Sequence, residues 1–97
     1  MEKELVQIIN KQTDTDLSED TSRNELQQKL TAFINELIVN DFQRLITILY
    51  RVDVDEKKLK RILKENIGKD AGEIIANLII ERQIQKLETR KQFGSKK

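Results

Sequence analysis

The chain has no cysteine, no histidine, no proline and no tryptophan, and only three glycines in 97 residues. Each absence closes a class of chemistry. Without Cys or His, one chain cannot build thiolate catalysis, a disulfide framework, a zinc finger or a histidine-ligated haem. Catalytic triads that use His as general base are excluded for the same reason. Acid–base work would fall to a carboxylate, a lysine or Tyr50 with a strongly shifted pKa, and such shifts require burial or tight charge pairing. No apolar run approaches the roughly 20 residues that span a bilayer. The start, Met1-Glu2-Lys3-Glu4, lacks the basic region of a secretory signal. A cytoplasmic protein without membrane contact, metal or cofactor is expected, and enzymes are the least favoured class.

Aromatics are scarce as well: Phe33, Phe42, Tyr50 and Phe93. A chain this poor in turn-formers and strand-formers, and rich in Leu, Ile, Lys, Glu and Gln, should be helical. Its length fits a single domain. The net charge of +1 hides a gradient: three bases face seven acids in residues 1–25, whereas thirteen bases face eight acids in residues 51–97. This layout suits an anionic partner at the C-terminal end, and equally an acid-to-base contact between two copies.

Leu5, Val6, Ile8 and Ile9 give residues 2–12 the pattern of a short amphipathic helix, too short to persist undocked. Residues 13–22 are polar apart from Leu17 and read as a linker. Ser22-Arg23-Asn24-Glu25 fits a capping box. Behind it, Leu26, Leu30, Phe33, Ile34, Leu37 and Ile38 mark the clearest helix, 22–39. Asn40-Asp41 offers a stop and a new N-cap before Phe42–Arg51, although the two stretches could form one kinked helix. Asp55 caps a helix over 56–66 that stops near Gly68, and Asp70-Ala71-Gly72-Glu73 opens the longest one, 71–92. The predicted fold is all-α, a small four-helix bundle with an additional short N-terminal helix. The predicted organisation is a helix and linker over 1–21, a bundle domain over 22–93 and a disordered basic tail over 94–97.

The last helix carries two apolar stripes. At 100° per residue from Ile74, Ala71, Ile75, Leu78 and Ile79 lie between about 40° and 140°, whereas Ile80, Ile84 and Leu87 lie between about 220° and 280°. Two stripes need two partners. The second stripe is either covered by the N-terminal segment through Leu5 and Ile9, or it is a subunit interface, or it is a groove for another protein. The predicted function is a non-catalytic interaction or structural module that forms a homodimer through Ile80, Ile84 and Leu87. Arg82, at about 80° in the first stripe, must be paired or mark the end of the core, with Glu36 or Glu73 as candidate partners.

The alternative is a nucleic-acid-binding accessory protein. Lys57, Lys60, Arg61 and Lys64 form a basic amphipathic stretch, and Arg90 and Lys91 continue the charge toward the tail; with Phe42–Arg51 the stretch could form a helix-turn-helix. Against this, no aromatic interleaves the bases, Glu56 and Glu65 dilute them, and such runs are commonly solvated faces. Asp14, Asp16, Ser18, Asp20, Ser22 and Glu25 fall on the ligand positions of a calcium loop. However, Glu19 stands where that loop needs Gly, and the capping box already accounts for Ser22 and Glu25.

Asn40-Asp41-Phe42, Leu49-Tyr50-Arg51-Val52-Asp53-Val54, Lys58-Leu59 and Ala76-Asn77-Leu78-Ile79-Ile80-Glu81-Arg82-Gln83 together resemble a group of short, functionally uncharacterised bacterial helical proteins. The resemblance spans roughly residues 24–93. It implies a shared fold with residues 1–23 as an extension, and it brings no catalytic residues with it.

Overall fold

A computed structural model describes residues 2–94, with side chains through Arg90. Among these residues the chain is all-helical, in the order α1 (Glu2–Thr13), α2 (Arg23–Asn40), α3 (Phe42–Val52), α4 (Glu56–Glu65) and α5 (Ala71–Gly94). The predicted four-helix bundle with an added N-terminal helix is the observed architecture.

Local chemistry sets most boundaries. Glu2 and Glu4 open α1 and Lys11 closes it, in the sense the helix dipole favours. The Thr13 hydroxyl bonds back to the Ile9 carbonyl at 2.7 Å, and Asp14 then leaves the helix with φ 57°. The capping box at Ser22 forms as predicted: the Glu25 amide donates to the Ser22 hydroxyl, and the Ser22 amide donates to the Glu25 carboxylate. A single residue, Asp41, separates α2 from α3. Its amide donates to the Leu37 carbonyl while its carboxylate accepts from the Arg44 amide. That double use resolves the kinked-helix alternative, because one aspartate serves as stop and start without glycine or proline. α3 ends at Asp53, in the left-handed region at φ 59°, ψ 49°, which Asp tolerates better than most residues. Asp55 caps α4, accepting from the Lys57 amide at 2.9 Å, and Asp70 accepts from the Gly72 amide at 2.9 Å at the start of α5.

α5 is the central element. It packs most extensively on α2, with α1, α3 and α4 also against it. Its two predicted stripes are the edges of one broad buried face. Between them, at about 160–200°, lie Gly72, Gln83 and Ala76, all buried. The small residues admit α2 closely: a Cβ on Gly72 would overlap the Asn35 amide.

Four expectations are corrected here. Residues 1–21 are not an appendage to a 22–93 domain, because Leu5, Val6, Ile8 and Ile9 are buried in the same core as α2, α3 and α5. The linker, although most of its residues are exposed, is folded back onto α1. The Asn10 amide bonds both the carbonyl and the amide of Leu17 at 2.9 Å, and Leu17 packs on the core. In addition, Ile80 and Leu87 are each only 6% exposed, and Ile84 is partly buried against them. The face assigned to a second copy is occupied by the chain's own α1, which shares a surface cleft with Leu87 through Glu4, Gln7 and Ile8. An amphipathic helix tethered to the same chain outcompetes an intermolecular partner at ordinary concentrations, because its effective concentration is high. Gly94 closes α5, so the predicted tail loses its first residue to the helix; residues 95–97 lie outside the described residues.

Candidate functional site

A first feature is a cleft of about 430 Å³ between the α3–α4 connector and α5, lined by Asp53, Val54, Asp55, Lys58, Glu81, Arg82 and Gln85 over Leu78. Arg82 organises it. Its guanidinium meets the Asp53 carboxylate at 3.0 Å, donates through Nε to the Asp53 carbonyl at 3.2 Å, and reaches Gln85 Oε1 at 3.4 Å. The partner of Arg82 is therefore Asp53, not Glu36 or Glu73. The sequence offered no local cue for this pairing, since the two residues meet only because α3 ends in a left-handed turn beside α5. Burial lowers the Lys86 pKa below its ordinary value; the nearby Arg82 charge adds to this, Asp53 opposes it, and Arg90 lowers it further.

The cleft works as a clasp. One arginine grips both the backbone and the side chain of the residue that starts the connector, and the remaining charges are open to solvent. A neutral side chain at position 53 removes an influence that holds the Lys86 pKa up. Asp53→Asn is therefore expected to lower the Lys86 pKa further, as followed by side-chain NMR titration. An unchanged or raised value would show that Asp53 does not face Lys86.

A second feature is apolar. Val39 is 81% exposed, Phe42 57% and Tyr50 78%. Taking Phe42 as 0° on α3, the buried Leu45, Ile48 and Val52 lie between about 240° and 300°. Phe42, Ile46 and Tyr50 continue the apolar arc from about 0° to 80°, one turn apart along the helix. Leu49, between the two sets, packs on the core, whereas Ile46 is only partly buried and lies outside the core cluster. The third described aromatic, Phe33, is covered differently, with the Arg44 guanidinium 5.5 Å from its ring centroid. The pattern in 42–51 announced an amphipathic helix. An arc of about 200° is too wide for one neighbour, and that width was the available signal for an uncovered face.

The third feature is α4. None of its residues is fully buried: Leu59, Ile62 and Leu63 are half-covered, and Lys57, Lys60, Arg61 and Lys64 are exposed on the other side. The structure does not join these bases to Arg90, which lines the separate cleft beside α1 with Lys11 and Gln12. The Lys91 side chain lies outside the described residues. α4 rests on α5 rather than on α3, so the two short helices do not form a helix-turn-helix pair.

Three acids of the 14–25 stretch have other partners. Asp14 pairs with Arg51 at 2.9 Å, Glu19 with Lys3 and Gln7, and Glu25 with Ser22. Among the described residues no three Asp or Glu side chains converge on a common point, and no helix is long and apolar enough to cross a membrane.

No protein-family model matches this chain, and no curated protein or solved structure is similar to it beyond chance.

Proposed function

We propose that this chain is a non-catalytic helical interaction module that self-associates through the α2–α3 corner. The observation that carries the reading is the exposure of Val39, Phe42 and Tyr50 at the α2–α3 corner, with the half-buried Ile46 between the two aromatics of α3, which leaves two of the chain's four aromatics on a surface the fold does not cover. Aromatic side chains held on a rigid helix are the residue type that supplies most interface energy, since they remove large apolar areas from water at low entropic cost. A binding role rather than catalysis is supported by the missing His and Cys and by the cleft, whose arginine is already answered by Asp53 and Gln85.

This relocates the dimer contact from α5 to α3. The expected solution mass by light scattering is twice 11.4 kDa. The double variant Phe42→Glu/Tyr50→Glu should return it to that of one chain with unchanged helical content, because both side chains are exposed in the folded protomer, and should lower the thermal midpoint only by the mass-action stabilisation that association had supplied. Ile84→Glu should lower stability and leave the association unchanged. A wild-type mass of one chain at two well-separated concentrations would overturn self-association and leave the corner as a surface for a different protein.

A further inference from the structure

We infer that α4 presents a docking face for the phosphate backbone of duplex nucleic acid. Taking Glu56 as 0°, Lys60, Lys64, Lys57 and Arg61 fall at about 40°, 80°, 100° and 140°. Four cations thus share about a quarter of the helix circumference and about 10 Å of its length. All four side chains are exposed. The acids of the helix flank this arc: Glu56 holds Lys60 at 3.2 Å, and Glu65 stands 4.0 Å from Arg61. Exposed ion pairs of this kind contribute little and exchange readily, so they do not compete seriously with a polyanion. Lys58 lies outside the arc, at about 200°, and lines the cleft with Asp53 and Asp55.

The chemistry of the arc narrows the ligand. An amphipathic helix that binds a lipid surface presents apolar side chains together with its bases. Here Leu59 packs on the core, and Ile62 and Leu63, at about 240° and 340°, are half-covered and lie outside the arc of bases. The outward face is wholly polar, which suits phosphates in water. Single-stranded nucleic acid is held largely by stacking on aromatics, and α4 has none. The match that remains is the closely spaced phosphate charge of a duplex, contacted without reading bases. Asp55 caps the helix that carries the four cations, accepting from the Lys57 and Lys58 amides. The face needs no rearrangement of the fold, and it is distinct from the apolar corner.

The test is fluorescence anisotropy of a labelled DNA duplex of about 20 base pairs, titrated with the full chain at low and moderate salt. With about four phosphates neutralised, log K should fall with log salt at a slope near −3.5, so that tenfold more salt costs about three and a half powers of ten in affinity. Lys57→Gln/Lys60→Gln/Lys64→Gln should reduce the slope to about −1, with circular dichroism confirming an intact fold. Arg90→Gln should leave it unchanged, since Arg90 lies in the other cleft. Three results overturn the inference: no anisotropy change at low salt, a slope insensitive to the triple substitution, or a slope that Arg90→Gln reduces by a full unit. Binding to phosphatidylcholine vesicles containing phosphatidylglycerol, with none to the duplex, overturns it in favour of a membrane surface.

Discussion

Gln83→Met is expected to stabilise the protein by about 1–3 kcal/mol, which for a domain of this size raises the thermal midpoint by roughly 4–8 °C per kcal/mol. Gln83 is 0% exposed, and among the described residues neither its amide nitrogen nor its oxygen has a hydrogen-bond partner. Burying an amide without replacing its bonds to water costs free energy. Methionine matches glutamine in length, flexibility and helix propensity, so the exchange isolates that cost. Urea denaturation should show a higher midpoint at unchanged m-value. A lower midpoint would mean that the amide is satisfied in solution, and that the face of α5 between Ile79 and Leu87 is wetter than described. The residue is informative for the fold in either case. It occupies the middle of the buried face of α5, where an aliphatic side chain would have merged the two stripes into one continuous pattern.

Ile9→Asp should have the opposite and larger effect. Ile9 is 0% exposed in the core that also contains Ile80 and Leu87. Placing an ionised carboxylate there, with no cation buried beside it, costs several kcal/mol. Total stabilities of such domains are about 5–15 kcal/mol. α1 has only 12 residues, and a helix of that length is marginal in water once undocked. The expected readouts are loss of roughly one helix of far-UV ellipticity, binding of a hydrophobic dye, and new concentration-dependent association through the uncovered α5 face. Ile9→Ala, which only opens a cavity, should cost about 2–5 kcal/mol and keep α1 docked. If Ile9→Asp leaves the midpoint where it was, α1 is not what covers Ile80 and Leu87.

These substitutions separate two kinds of association that the sequence leaves entangled. If α1 is docked, self-association must use surfaces such as Val39, Phe42, Ile46 and Tyr50. If α1 is released, Ile80, Ile84 and Leu87 become available and a different, less specific contact follows. Comparing Phe42→Glu/Tyr50→Glu with Ile9→Asp by solution mass therefore distinguishes an interface built on the folded protomer from one that needs partial unfolding.

The helix starts were legible. Ser22, Asp41, Asp55 and Asp70 each bond an amide in the first turn of the helix that follows, because capping depends on residues only two or three positions apart. The all-α class was legible from composition for a similar reason, since propensity and periodicity are properties of short windows. The basic stretch at 57–64 was legible as charge, and its exposure follows from the cost of burying lysine.

Which face meets which partner was decided only by the tertiary structure. Nothing in residues 71–90 distinguishes a stripe covered by the same chain from one covered by another, because burial is equally favourable from either source. The choice fell to α1 because Asn10 and Thr13 fold the polar segment back, and that tether keeps Leu5 and Ile9 beside α5. The partner of Arg82 was equally out of reach of sequence, as Asp53 lies 29 positions away and is aimed by a left-handed turn. The separation of Arg90 from the bases of α4 is of the same kind, since it depends on which sides of α5 the first and fourth helices occupy. The sequence by itself determined where helices start, stop and carry charge. The packing around α5 determined which of their faces remain open to a partner, because that outcome depends on competition between surfaces far apart in the chain.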